Sequence, residues 1–264
     1  MNTSIKMIVI DLDQTLLRSD KSISCFTINA VNTCKQRGIL IVFATARSET
    51  DCKQYTEIIN PDAVVSSRGL LVKAGKNTIS HFILDVETAN SILLECLGQP
   101  SVRYILAFTE NGTFTNIPAD EHNTIWGKCN PDMYTDFKNG LDCSAYDIVA
   151  EILDDAIANT IAASFSTIDV KRISGQHWFS FGAKDKNKSI NKFDGIKSLA
   201  TYFNIDLEDI VAFGDDLCDV KMLCGCGIGV AVDNAIAEAK NAADFICGSN
   251  DDDGVAKWIE GRIL

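Results

Sequence analysis

The sequence predicts an α/β protein: a Rossmann-like parallel-sheet core with helices on both faces, interrupted by an inserted α+β module. Three observations carry this. Short, uniformly apolar runs alternate with helical patterns at both ends of the chain, as expected of strands covered on both sheet faces and joined by right-handed crossovers. Three of those runs end in acids or a hydroxyl beside turn residues. The middle of the chain has a different order of strands and helices and reads as a unit of its own.

The first strand is Met7–Ile10. A polar-apolar stretch over 24–37 is a helix ended by Gly38, and 39–44 is the next strand, so the three make a βαβ unit. A further strand covers 63–66. In the middle, 102–108, 112–116, 161–166 and 170–173 are predicted strands, and 87–97 and 146–159 predicted helices. The core pattern then returns with a helix near 195–203, a strand at 210–213, a helix at 216–224, a strand at 228–232 and a helix at 235–242. The expected domains are therefore a core made of 1–79 and 184–264, and an inserted module at 80–183.

Composition narrows the function classes. With 264 residues, 46% hydrophobic and 23% charged, the chain can bury one large core or two smaller ones, so disorder is not expected. A net charge of −12 repels nucleic acid and acidic membrane surfaces, and neither is an expected partner. No segment approaches a membrane span. The N-terminal apolar run stops at Asp11, too early for a signal peptide. Ten scattered cysteines in a chain of this size fit a reduced, cytoplasmic compartment. Cys218, Cys224 and Cys226 lack both zinc-site spacing and a nearby histidine, so they read as small buried residues. The three histidines are too far apart to form a metal or triad signature.

Asp11 and Asp13 lie in D-L-D-Q-T at the end of the first strand, where open parallel sheets place their crevices. In extended backbone both carboxylates can face one site, where a hard cation would relieve their repulsion. Solvated acids in a strand-end turn are the competing reading. The second strand ends in A-T-A-R, and Thr45 with the backbone N–H groups opening the next helix makes an anion seat. Taken singly, Thr45 reads as a helix cap and Arg47 as a surface charge. The strand at 210–213 runs into G-D-D-L-C-D, where Asp215 and Asp219 would be caps in isolation. The carboxyl ends of parallel strands share one sheet edge, so Asp11, Asp13, Thr45 and Asp215 can converge. Carboxylates, a hydroxyl and a lysine in one crevice match magnesium-assisted phosphoryl transfer, with one carboxylate attacking phosphorus. Lysine, threonine and backbone donors would balance the charge on the equatorial oxygens.

The order D-x-D-x-T, strand-end Thr, Lys, then G-D-x-x-x-D resembles the haloacid dehalogenase-like hydrolases along the whole chain. The insertion falls between Thr45 and Lys192, as in the Cof-type sugar-phosphate phosphatases. The stretches G-I-G-V-A-V-D-N-A-I-A-E-A-K, A-A-D-F-I and N-D-D-D-G-V-A resemble the C-terminus of that subfamily. The resemblance implies that Asp11 is the nucleophile and a magnesium ligand. Asp13 would be the general acid/base and bind the metal through its backbone carbonyl. Leu12, Thr45, Ala46, Arg47, Lys192 and Cys218 would contact phosphate, and Asp215 and Asp219 would complete the Mg2+ site. Lys192 is preferred to Lys184, Lys186 and Lys188 by its distance from G-I-K-S-L-A-T-Y-F-N-I.

The module at 80–183 would then be a cap that sets the substrate, a small phosphorylated metabolite. Phe114, His122, Trp126, His177 and Trp178 are its candidate lining residues, none assigned a contact. Gln14, Ala46 and Phe193 stand where the family usually has glycine. Cys218 replaces a phosphate-contacting asparagine, and Arg68 precedes Gly69 where asparagine is common. Phe193 and Cys218 predict a weakened phosphate seat, with activity retained but low or shifted in preference. A catalytically silent phosphosugar-binding module on the same fold is the competing reading. A signalling receiver domain fails on length and order, and a dinucleotide site at Gly225, Gly227 and Gly229 fails because Val230 takes the place of the last glycine.

Overall fold

The computed structural model of the chain describes residues 5–121, 133–165, 167–173, 177–185 and 188–264. These form two compact units, one running through His81 and resuming as Asn191–Leu264, the other Phe82–Ile190. The sequence-predicted boundaries were 80 and 183. The second unit ends later because its last long strand continues to Asp185 and a further short strand pairs back onto it. His122, Trp126 and Lys186 lie outside the described residues.

The first unit opens with β1 (Met7–Ile10), buried along its whole length. The chain leaves β1 in a wide turn closed by Leu16 N–H to Asp11 O and Leu17 N–H to Leu12 O. Ser24 Oγ accepts from Thr27 N–H to start α1 (Cys25–Gln36). β2 (Leu40–Ala44) follows, then α2 (Glu49–Ile59), capped by Ser48 and ended by Asn60 in the left-handed conformation. β3 (Ala63–Ser66) lies parallel to β2, and β4 (Leu71–Ala74) and β5 (Asn77–His81) extend the sheet in antiparallel fashion.

The second unit contains α3 (Val86–Leu97), β6 (Val102–Thr109), β7 (Gly112–Thr115), β8 (Met133–Tyr134) and β9 (Ala145–Ile152). It continues with α4 (Asp155–Ala163), β10 (Ile168–Arg172), β11 (Trp178–Asp185) and β12 (Lys188–Ser189). The strands order as β10-β11-β9-β6-β7-β8, with β12 paired to β11. Here the expectations over 146–159 and 161–166 are corrected: the first stretch begins as a strand, and the helix follows it. Ala145–Ile152 is buried on nearly every residue between β6 and β11, which a one-sided helix cannot be. The helix starts only where Asp154 accepts from Ala156 N–H, and it turns Ala158 and Ile161 into the core beside Ile92 of α3 and Ile148 of β9.

The first unit resumes with α5 (Lys192–Phe203), β13 (Ile210–Gly214), α6 (Val220–Gly225), β14 (Ile228–Ala231), α7 (Ala237–Ala242), β15 (Phe245–Ile246) and α8 (Gly254–Arg262). The completed sheet runs β15-β14-β13-β1-β2-β3-β4-β5 and is parallel from β15 to β3. Alternate residues of its strands feed two cores. Ile8, Ile41, Phe43 and Phe213 pack with Val31 of α1 and Tyr55 of α2, while Met7, Val9, Val42 and Ala212 pack with Ile196 and Leu199 of α5. Fully burying each large aliphatic side chain contributes about 1.5–3 kcal/mol, and this explains the uniformly apolar strands. α5 approaches the sheet closely enough that a Cβ at Gly195 would lie 2.6 Å from Val65 Cγ1.

β1 has β2 on one side and β13, which arrives after the second unit, on the other. Chain order therefore reverses at β1, and the crevice beyond its carboxyl end is where such sheets bind ligands. Among the described residues no helix is long and apolar enough to cross a membrane. The nine described cysteines are free, and Cys224, expected to be buried, is exposed.

Candidate active site

Asp11 is the first residue past β1, and its N–H still bonds Phe213 O of β13 at 3.0 Å, so the sheet fixes its position. Its side chain is buried, as is that of Lys192, the first residue of α5. Asn191 caps that helix and exchanges bonds with Asp194, which sets the direction in which Lys192 leaves the helix. Lys192 Nζ donates to Asp11 Oδ1 at 2.6 Å and to Asp219 Oδ1 at 2.7 Å. A buried ammonium is tolerable only with such partners. Burial opposes its charge, but the two carboxylates outweigh that and hold Lys192 well above the usual lysine range. Burial, reinforced by the nearby Asp219 and Asp215, pushes Asp11 well above the usual carboxylate range, against the pull of Lys192.

Asp215 and Asp219 come from the loop after β13. Asp219 Oδ2 accepts from the N–H groups of Asp215 and Asp216 at 3.0 and 3.1 Å, folding the loop into a tight turn. A Cβ at Gly214 would lie 2.5 Å from Asp219 Cβ, so the turn needs glycine there. Thr15 Oγ1 donates to Asp215 Oδ1 at 2.7 Å, and burial pushes Asp215 up to about 6. Oxygens of Asp11, Asp215 and Asp219 lie within 4.8 Å of one another. This hard, all-oxygen donor set carries more negative charge than one lysine offsets, which suits magnesium, a cation that takes one or two carboxylates and completes its shell with water and phosphate oxygens. Asp13, the fourth predicted metal residue, has its carboxylate elsewhere.

Asp13 is held in a fork. Arg47 Nε and Nη2 donate to its two oxygens at 2.7 and 2.8 Å, and Lys21 Nζ adds a bond at 2.7 Å. Burial would raise Asp13, but Arg47 and then Lys21 prevail and hold it at about 2. Arg47 also stacks over the Tyr55 ring, 5.1 Å from its centroid. Thr45 Oγ1 is buried and accepts from Arg47 N–H at 3.1 Å, and Ala46 between them is exposed. Leu12 turns its side chain into the core, so only its backbone can serve a ligand. Cys218 Sγ lies 3.6 Å from Asp219 Oδ1, and burial pushes its thiol far up, so it stays neutral.

The structure thus gathers Asp11, Lys192, Asp215, Asp219 and Cys218 in one cluster, and Asp13 with Arg47 beside it. The Phe193 ring packs on the end of α6: a Cβ at Gly225 would lie 2.2 Å from Phe193 Cζ. Gln14 does take the backbone its usual glycine would, at φ +59°. Sequence reasoning missed Thr15 and Lys21. Thr15 was in view as the last letter of the D-L-D-Q-T motif, whereas nothing in the sequence singles out Lys21.

Comparison with known proteins agrees with this architecture. Residues 8–259 match the family described as haloacid dehalogenase-like hydrolase. The chain is 27% identical over 270 residues to the 5-amino-6-(5-phospho-D-ribitylamino)uracil phosphatase YcsE of Bacillus subtilis, covering 100% of this chain and 98% of that protein. A haloacid dehalogenase-like hydrolase from Bacteroides thetaiotaomicron superposes with a TM-score of 0.82 at 24% identity, over 98% of this chain and 99% of that one. A sugar phosphatase of subclass IIB of the same superfamily gives 0.79 at 22% identity, over 97% and 98%. At these identities the two structures show a shared fold.

Proposed function

Because the chain belongs to the haloacid dehalogenase-like hydrolases, we propose that it is a phosphatase hydrolysing small phosphate monoesters, sugar phosphates among them, through an aspartyl phosphate on Asp11. The observation that carries this reading is the Lys192 ammonium shared between Asp11 and Asp219, two acids from different strand ends. Curated relatives named as phosphatases over their full length support it.

Asp11, Asp215 and Asp219 would hold magnesium, with the Asp13 backbone carbonyl. When bound, the ion supplies charge that offsets the phosphoryl oxygens and the crowded carboxylates. Lys192 fixes one Asp11 oxygen, and the other attacks phosphorus. The new O–P bond forms as the ester P–O bond breaks, and the bonding pair leaves with the ester oxygen. Asp13, protonated from solvent once substrate has drawn Arg47 away, gives that proton to the ester oxygen and then takes one from the water that attacks the aspartyl phosphate. The Asp11 O–P bond breaks as the water O–P bond forms, which releases phosphate and restores Asp11, and Asp13 returns its proton to solvent as Arg47 re-engages it. Thr45, Arg47 and Lys192 donate to the phosphoryl oxygens throughout. Arg47 and Lys21 hold Asp13 as a carboxylate when no substrate is present. A dianionic phosphoryl group that draws Arg47 to itself loosens that hold and prepares Asp13 to carry the proton.

The experiment is phosphate release from a panel of sugar phosphates, 5-phosphoribityl compounds and nucleotides, with magnesium and with chelator. Metal-dependent release from several esters is the expected result. Binding of sugar phosphate and magnesium without any release would favour the silent binding module instead.

A further inference from the structure

The turn that follows β1 is made without a glycine. Asp13 has φ −71° and ψ +128°, and Gln14 has φ +59° and ψ +5°. These are the angles of the two central residues of a type II turn, whose second position favours glycine because its φ is positive. A residue with a side chain keeps that conformation only where its surroundings enforce it. Here the enforcing contacts come from two asparagines, 220 and 233 positions from their partners in the chain. Asn234 Nδ2 donates to Gln14 O at 2.7 Å, and the buried Asn250 donates through Nδ2 to Leu17 O at 2.9 Å. The two amides are joined to each other, since Asn250 N–H donates to Asn234 Oδ1 at 3.0 Å. Asp11, at the start of the turn, is pinned separately by its N–H on Phe213 O.

Asn234 lies in the loop between β14 and α7, and that loop also holds the other side of the site. Val232 N–H donates to Gly214 O at 3.3 Å and Ile236 N–H to Asp215 O at 2.9 Å. One short loop therefore bonds both the backbone that carries Asp215 and the turn that carries Asp13. Thr15 links the two again through its hydroxyl on Asp215 Oδ1, and the Gln14–Thr15 peptide, whose carbonyl Asn234 holds, fixes where that hydroxyl starts. Backbone strain and metal chemistry meet one peptide earlier. A type II turn differs from the commoner type I mainly by a half rotation of its central peptide, which here is Asp13–Gln14. If Gln14 relaxed to negative φ by that rotation, the Asp13 carbonyl would reverse its direction. Rotation about either flanking bond alone also swings the Gln14 carbonyl off Asn234, so the amide resists it.

We propose that Asn234, backed by Asn250, is a positioning residue for the magnesium site. It clamps Gln14 in left-handed backbone and thereby keeps the Asp13 carbonyl and the Thr15 hydroxyl in the orientation that serves the ion and its ligand Asp215. The assignment rests on the phosphatase reading above, in which that carbonyl is a metal ligand. Asn234 acts through the turn and is not itself assigned a bond to the ion.

The test is calorimetric titration of magnesium into the full chain, for wild type, Asn234→Ala, Gln14→Gly and the Asn234→Ala/Gln14→Gly double variant. Thermal melts check that each is folded, and Asn234 is exposed, so its truncation leaves the cores intact. Losing one neutral hydrogen bond should weaken magnesium binding by about threefold to tenfold in Asn234→Ala. Glycine takes positive φ about as readily as negative, so with Gln14→Gly already in place the same truncation should cost less than about twofold. Unequal losses in the two backgrounds mark a clamp acting on Gln14, whereas a residue that only adds stability gives equal ones. Equal losses, or unchanged affinity in folded Asn234→Ala, overturn the proposal. A wild type that binds no magnesium sinks the metal reading and the proposal together. Phosphate release by wild type and Asp11→Asn is scored separately: equal release there sinks the phosphatase reading, while unequal magnesium losses still support Asn234 as the clamp.

Discussion

The Lys192 ammonium donates to Asp11 Oδ1 at 2.6 Å, joining residues 181 apart in sequence inside a buried crevice. The contact explains how an insertion as long as Phe82–Ile190 can separate the two halves of one site. The halves share a parallel sheet, and the sheet edge brings them together.

Removing the lysine leaves two buried acids without a counter-charge. Lys192→Ala should cost about 3–5 kcal/mol of stability. The same change should lower kcat/KM by more than about a hundredfold, since in the proposed mechanism the lysine would also donate to the phosphoryl group. Magnesium should return part of the lost stability by occupying the same acids. Thermal melts with and without the ion check this, and a variant as stable as wild type in chelator contradicts it.

The pH dependence follows from Asp215, pushed up to about 6. An acid whose folded pKa lies above its unfolded value binds more protons in the folded protein, so metal-free stability rises as pH falls from above 6 toward 4. Asp11 acts in the same direction. Asp13, held at about 2, does not titrate in this window. Full relief of the Asp215 shift is worth about 3 kcal/mol at most, less after solvent screening. Magnesium should therefore raise the melting temperature more at pH 7 than at pH 5, where protons compete for its ligands. An equal rise at both pH values contradicts the assignment.

Thr15 tunes the same acid. Its hydroxyl favours the charged form of Asp215, so Thr15→Val should raise the magnesium concentration for half-maximal activity by about tenfold, the scale of one hydrogen bond to a charged group. Magnesium titrations of activity measure it. No change would assign Thr15 to packing alone.

Arg47→Lys keeps the charge but loses the fork that grips Asp13. About a tenfold fall in kcat/KM is expected, with little loss of stability, because Asp13 is partly exposed. Steady-state kinetics beside thermal melts separate the two effects.

The core was legible because its signals are local. Each apolar strand ends in its own motif, and parallel pairing of β13, β1 and β2 does the rest. The stretch from Ala145 to Ala163 was harder, since its apolar residues fit both a period of two and a period of 3.6, and short runs do not decide between them. What decided was the Asp154 cap and the demand for a strand between β6 and β11. For Phe193 the sequence gives adjacency to Lys192 but not direction, and its ring points to Gly225. Lys21 was invisible for a related reason: it reaches Asp13 only because Lys21 itself takes φ +68° in the loop closed by Arg18 N–H to Ser22 O.

The central claim is that Asp11 itself accepts the phosphoryl group, and phosphate release by Asp11→Asn beside wild type tests it most directly. The amide cannot attack phosphorus as a carboxylate does and is a weak magnesium ligand, so release should fall to background while melts show a folded protein. Release at the wild-type rate would place the reacting group elsewhere and contradict the account.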